Sequence, residues 1–216
     1  MANVNINKKR GAAAEEALNA LRGNLMLRFP EVRAVCLVGE RPYADKLALA
    51  RGLAERFAAL EKRTLFVECV AIDRPAPADW RADGPALADY LAGKAELPKI
   101  VRKVSDCLDA IPCGAASRIS ELIARERMDA LMAEARERYD FIIVDATSMA
   151  TCADAAMAAR RCDGALLLAE YHETRGDALK RAQQDLERNR IKLLGVVVAE
   201  PEKPEGNVTR ILRKIR

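Results

Sequence analysis

Lys46 is the residue whose type and setting point most directly to chemistry. It follows Val38-Gly39-Glu40-Arg41-Pro42-Tyr43-Ala44-Asp45, a stretch that leaves an apolar run and opens a helical one. A lysine in that setting suggests a phosphate-binding loop of the G-x-x-x-x-G-K-[ST] type. In such a loop, glycines let backbone N–H groups crowd the phosphates, the lysine neutralises charge, and the hydroxyl holds Mg²⁺. Counted back from Lys46, the glycine positions are filled by Glu40 and Asp45, and Leu47 takes the hydroxyl position. Two carboxylates would face a polyanion, and a Cβ would stand where close backbone approach is required.

The magnitudes weigh against binding. An aspartate about 4–5 Å from a phosphate costs on the order of 3–4 kcal/mol at an effective dielectric near 20. Each lost hydrogen bond to the phosphates or metal adds roughly 1–3 kcal/mol. A micromolar site is worth only about 8 kcal/mol, so nucleotide binding is not expected and no cofactor is assigned.

The elements that must position this loop follow a simple alternation. Apolar runs at 34–38, 65–70, 108–111, 141–144, 165–169 and 193–199 read as buried strands. Helical periodicity at 12–28, 44–60, 84–92, 119–138, 153–161 and 175–189 separates them. Near-continuous apolar strands alternating with helices predict an α/β fold: a doubly wound, mostly parallel sheet with helices on both faces, P-loop NTPase-like. Residues 1–206 are expected to form one such domain, with Arg74-Pro75-Ala76-Pro77 and the stretch from Glu200 to Gly206 as loops.

Composition narrows the function classes. The chain has 216 residues, 50% of them apolar, enough for one sizeable α/β domain. A net charge of +4 and an aromatic content of 4% argue against a nucleic-acid partner. Six scattered cysteines, a single histidine and no C-x-x-C argue against a zinc site or a disulfide framework. Reduced, buried thiols of a cytoplasmic protein are the expectation. No run of eighteen apolar residues and no secretory signal is read.

The ordered motifs resemble those of the bacterial tyrosine autokinases of capsule and exopolysaccharide synthesis, a branch of the deviant Walker ATPases. The resemblance is carried by Leu108-Asp109-Ala110-Ile111-Pro112-Cys113-Gly114, Ser120-Glu121-Leu122-Ile123, Glu126-Arg127-Met128 and the run from Glu137 to Asp145. Gly84 with Ala86-Leu87-Ala88-Asp89-Tyr90-Leu91-Ala92-Gly93, then Ala153-Asp154-Ala155, Asp163-Gly164 and Thr174-Arg175, complete it. It spans about Glu15 to Val198. It implies the Walker-type loop at Pro42–Leu47, the Walker B aspartate at Asp145, and ATP with Mg²⁺ as the cofactors of active relatives.

The departures from that family are informative. Only Pro42 and Lys46 survive in the loop. The family's Asp-x-Asp falls on Glu68-Cys69-Val70, its Thr-Pro-Pro on Ala146-Thr147-Ser148, and its adenine-reading Asn on Ala199. A phosphorylated tyrosine-rich tail has no counterpart, the tyrosines being Tyr43, Tyr90, Tyr139 and Tyr171. Lys46 and Asp145 are therefore read as relics of a nucleotide site, with Lys46 bonded to Asp45 or Asp145. No catalytic residue and no metal ligand is assigned.

The family's E-x-x-R-x-x-R subunit contact corresponds to Glu16, Asn19 and Arg22, which share one side of the first helix. Glu16 and Arg22 are candidate interface residues of a homo-oligomer. In the tail 207–216, Val208, Ile211, Leu212 and Ile215 make an apolar stripe among Arg210, Arg213, Lys214 and Arg216. That pattern predicts a short basic amphipathic helix and peripheral contact with a membrane. The resemblance implies a pseudokinase: a regulatory or binding subunit at the inner face of the membrane. Its partner would be a membrane-embedded polysaccharide chain-length regulator or an active homologous kinase. A divergent active autokinase or ATPase, or a scaffold of the partition- or division-site kind, are the alternatives.

Overall fold

A computed structural model describes residues 6–39, 46–70, 84–114, 119–123, 126–148, 153–170, 173–199 and 212–213. The sheet begins with β1 (Ala34–Gly39) and β2 (Thr64–Glu68), joined through α2 (Lys46–Ala58). The antiparallel hairpin of β3 (Arg102–Ser105) and β4 (Leu108–Ile111) comes next, then β5 (Phe141–Ser148), β6 (Gly164–Glu170) and β7 (Leu193–Ala199). A two-residue strand, β8 (Leu212–Arg213), closes the far edge. The order is β3-β4-β2-β5-β1-β6-β7-β8, with β3 and β8 antiparallel to their neighbours and the rest parallel.

Strand periodicity divides the core into two layers. Val35, Leu37, Phe66 and Ile143 face α1 (Ile6–Arg28) and α2, which contribute Leu21, Leu25, Leu49, Leu53 and Phe57. Their strand neighbours Ala34, Cys36, Val38, Val67, Ile142 and Val144 point the other way. That second layer is filled from α3 (Leu87–Leu91), α6 (Glu126–Arg138), α7 (Ala153–Ala159) and α8 (Gly176–Arg188). Because both faces are covered, the central parallel strands carry continuous apolar runs, such as 35–38 in β1 and 142–144 in β5, rather than alternating.

The chain runs from β1 to β2 in one direction and later from β5 to β6 in the other, so the direction of winding reverses beside β1. The carboxyl ends of the strands at such a point are where open α/β sheets bind ligands. β1 ends there at Gly39, and α2 starts there at Lys46.

Several sequence expectations are corrected. α1 starts at Ile6, ahead of the periodic stretch at 12–28. The 119–138 stretch is helical over α5 (Ile119–Ile123) and α6, with 124–125 outside the described residues. A short helix α4 (Leu97–Ile100) and strand β3 occupy a region read without elements. β5 runs on to Ser148, four residues past the apolar run. Ala146-Thr147-Ser148 carries no proline, so the ladder has nothing to stop it. The predicted tail helix fails at Leu212 and Arg213, which pair as a strand with Val198 and Val197. The open backbone groups at the edge of β7 supply partners that a ten-residue helix lacks. The loops at 74–77 and 200–206 and the rest of the tail lie outside the described residues.

Candidate functional site

Lys46, the first residue of α2, is buried, with 5% of its surface exposed. Its ammonium donates to Asp145 Oδ1 and to the carbonyl oxygen of Ala146. Asp145 is fully buried in β5, and among the described residues its second oxygen, Oδ2, has no hydrogen-bond partner. Burial raises the Asp145 pKa, opposed by attraction and a hydrogen bond from Lys46 and by attraction to Arg51. The structure thus brings together the two residues singled out as relics.

Glu68 lies beside them. It ends β2 in parallel register with Asp145, so the two side chains share a face of the sheet. The Cys113 N–H donates to Glu68 Oε2 at 3.3 Å. Burial raises the Glu68 pKa, against that hydrogen bond and the attraction of Arg51 and Lys46, while Asp145 pushes it further up. Gly114, at φ +81°, turns the chain directly after Cys113, and a Cβ there would stand 2.6 Å from that of Ala86. Cys69, the next residue after Glu68, is buried in the opposite layer. Of Glu68-Cys69-Val70, Glu68 is thus the carboxylate on the face shared with Asp145 and Lys46.

Arg51 is the residue that sequence reading missed. It is buried on α2 with 8% exposure, close enough to both carboxylates to lower their pKa values. The signal was present: an arginine among the buried positions of a helix requires buried acids for company. When all four groups are charged, two cations and two anions cancel.

The positions that the resemblance sets for the metal hydroxyl and the base are held by Leu47 and Ala199. Leu47 packs against the α1–α2 apolar layer instead of offering a hydroxyl. Ala199, buried at the end of β7, has no group to bond a base. Among the described residues no group of three His, Cys, Asp or Glu side chains could hold a metal ion. Glu40, Pro42, Tyr43 and Asp45 lie outside the described residues.

Elsewhere the structure places the candidate interface residues and two of the tyrosines. Arg22 is half-buried, and its Nη1 donates to the Arg56 carbonyl oxygen at 2.7 Å, tying α1 to α2. Arg22 is thus engaged within the chain, while Glu16 and Asn19 are exposed. Tyr90 and Tyr139 are buried; the Tyr139 hydroxyl donates to Asp109 at 2.7 Å, and Arg127 stacks on the Tyr90 ring. Tyr43 and Tyr171 lie outside the described residues. No helix among the described residues is long and apolar enough to cross a membrane.

A mostly parallel sheet, a strand-to-lysine-helix junction at its switch point and a buried aspartate on the neighbouring strand define a P-loop ATPase fold. The chain's homologues are bacterial tyrosine kinases, and its structural neighbours are their kinase domains. It is 28% identical over 200 residues to the tyrosine-protein kinase Etk of Escherichia coli K12, matching 86% of this chain and 26% of that protein. It is 23% identical over 194 residues to the tyrosine-protein kinase CpsD of Streptococcus agalactiae, matching 88% of this chain and 84% of CpsD. The succinoglycan biosynthesis transport protein ExoP of Rhizobium meliloti is 27% identical over 215 residues, 95% of this chain and 27% of ExoP. The solved kinase domain of E. coli Etk superposes with a TM-score of 0.80 at 26% identity, covering 94% of this chain and 79% of that one. The chain therefore spans about a quarter of the length of Etk and ExoP and most of CpsD. No protein-family model matches it.

Proposed function

We propose that the chain is a pseudokinase, a regulatory or binding subunit in the synthesis or export of a bacterial surface polysaccharide. The observation that carries this reading is the buried contact of Lys46 with Asp145 and the Ala146 carbonyl. Phosphoryl transfer depends on positioning and charge neutralisation by loop, lysine and Mg²⁺. Here the lysine is neutralised by the protein itself, and the metal hydroxyl is a leucine. The polysaccharide setting is supported by the homology to CpsD and ExoP. A place at the cytoplasmic face of the membrane follows, beside a membrane-embedded chain-length regulator or an active homologous kinase.

Calorimetry with Mg-ATP and Mg-ADP tests this directly. No binding tighter than about 50 µM is expected, a threshold of roughly 6 kcal/mol. Incubation of the pure protein with ATP and Mg²⁺ or Mn²⁺ should yield no phosphotyrosine by mass spectrometry. Phosphotyrosine in that assay overturns the proposal in favour of a second reading, a divergent active autokinase or ATPase. That reading draws support from Asp145 itself, whose Oδ2 lacks a partner among the described residues.

A further inference from the structure

At the opposite end of the strands from Lys46, a cleft of about 270 Å³ is lined by Arg63, Asp106, Cys107, Asp109, Arg138 and Tyr139. Arg63 and Cys107 directly precede β2 and β4, and Tyr139 lies between α6 and β5, so the cleft sits where these parallel strands begin. β2 runs five residues, roughly 16 Å, before Glu68 reaches the Lys46 site. Backbone bonds fix the walls. The Thr64 N–H donates to the Cys107 carbonyl at 2.8 Å, the Asp140 N–H to the Arg63 carbonyl at 2.7 Å, and the Arg63 N–H to Asp140 Oδ2 at 2.9 Å. The half-buried Asp109 is held by Tyr139, whose hydroxyl donates to Oδ2 at 2.7 Å. Burial, then that bond, raises the Tyr139 pKa, so the hydroxyl keeps its proton and remains a donor. We propose that this preformed cleft binds one neutral hexose unit through Asp109, Arg63 and Arg138, a sugar site that rests on the polysaccharide reading above and deepens it.

Charge and size select the ligand. The lining carries two cations and two anions, so an anionic ligand would meet Asp106 and Asp109, and a cationic one Arg63 and Arg138. A neutral polyol suits both signs, because each hydroxyl can donate one hydrogen bond and accept others. Tyr139 uses only Oδ2 of Asp109, which leaves Oδ1 to accept from a ring hydroxyl. The guanidiniums, donors only, then serve the neighbouring hydroxyls. Both arginines are available for this. The Arg63 side chain is 63% exposed, and its contact with Asp140 Oδ1 is 3.6 Å, too long for a hydrogen bond. Arg138 is half-exposed and meets Glu134 at 3.1 Å, a surface pair of the kind that contributes little. Asp106, paired with Lys103 at 3.1 Å, stays on the exposed rim. The volume falls below the ~300–1,000 Å³ of sites for drug-sized ligands, which leaves room for a single ring rather than an oligosaccharide. So small a ligand in an open cleft binds weakly, with a Kd of roughly 1–10 mM.

The experiment titrates the full-length chain with D-glucose, D-galactose and D-mannose by ligand-observed NMR, with D-glucuronate and D-glucosamine as charged counterparts. At least one neutral sugar is expected to saturate with a Kd of roughly 1–10 mM and to shift the backbone amides of Thr64 and Asp109 in labelled protein. Asp109→Asn keeps an oxygen for the Tyr139 hydroxyl but loses the charge. That variant and Arg63→Ala should each weaken binding about fivefold or more, while Arg188→Ala, on α8, leaves it unchanged. Should Asp109→Asn not fold, Arg63→Ala decides, since its side chain is mostly exposed. No saturable binding by any of the three neutral sugars, tighter binding of glucuronate or glucosamine, or binding that survives the cleft variants overturns the proposal. The assay contains no nucleotide, so Mg-ATP binding or phosphotyrosine would overturn the pseudokinase reading and leave this result standing. A failed sugar titration likewise leaves those two outcomes untouched.

Discussion

Lys46 and Asp145 are a buried pair whose members do not tolerate separation. Breaking such a pair from one side leaves an uncompensated charge and costs about 3–5 kcal/mol, whereas replacing both by apolar groups is often neutral. Lys46→Met should therefore destabilise the chain by about that amount in urea unfolding, and adding Asp145→Leu should recover most of the loss. A cost below about 1 kcal/mol for Lys46→Met would show that the contact is not structural. The single variant should also acquire a pH dependence. An unpaired Asp145 prefers its protonated form when folded, so stability should be highest in acid and fall as pH rises, levelling once the group ionises. Asp163 has the opposite sign. Burial alone would raise its pKa, but Arg136 and the amides of Ala34 and Arg33 outweigh this and hold it below the usual carboxylate value. Those bonds are 2.8 Å from Arg136 Nη2, 2.8 Å from the Ala34 N–H and 2.7 Å from the Arg33 N–H. Their stabilisation is complete above the unfolded carboxylate pKa and lost as pH falls through the depressed one. Asp163→Ala should cost about 2–4 kcal/mol at neutral pH and much less at the acid end, measured by unfolding across pH.

Between elements, Gly164 sets how closely β6 approaches its neighbours. A Cβ there would lie 2.7 Å from Leu194 Cγ and 2.8 Å from the Lys192 carbonyl oxygen. A side chain can yield, but a backbone oxygen inside a paired sheet cannot, so Gly164→Ala should cost about 1–3 kcal/mol in thermal or urea unfolding. An unchanged midpoint would mean that β6 and β7 slide apart freely. The parallel core was legible because a strand covered on both faces must carry a continuous apolar run, as β1 does at 34–38 and β6 at 165–169. The edges were not. β3, Arg102–Ser105, opens with Arg-Lys and is only half covered, so no apolar run marks it. Leu212 and Arg213 carry a helical stripe in the sequence, yet the unpaired edge of β7 decides their backbone. The same division holds at the site. Lys46 and Asp145 could be found from motif position, but Arg51 and the Cys113 amide enter only once α2 lies across β2 and β5, a matter of packing rather than pattern.

For the molecule as a whole, nucleotide linkage weighs the two functional readings against each other. A ligand that binds only the folded state stabilises it by RT ln(1 + [L]/Kd), so 1 mM Mg-ATP at a Kd of about 50 µM would add about 1.8 kcal/mol. For a domain near this size that is an increase of roughly 4–7 °C in Tm. The pseudokinase reading expects less than about 1 °C, because Lys46 is already neutralised by Asp145 and the Leu47 side chain packs in the α1–α2 layer. Restoring the loop in stages separates the causes. Asp45→Gly with Leu47→Ser removes one carboxylate and supplies the metal hydroxyl, but leaves the Tyr43 side chain in the loop that must close on the phosphates. That double variant should still shift by less than about 1 °C, and only the triple variant with Tyr43→Gly should show a measurable nucleotide-dependent increase. A shift of about 4 °C or more in the unmodified chain would mean that Lys46 leaves Asp145 for the phosphates, and the ion pair would then be a resting state of a working site.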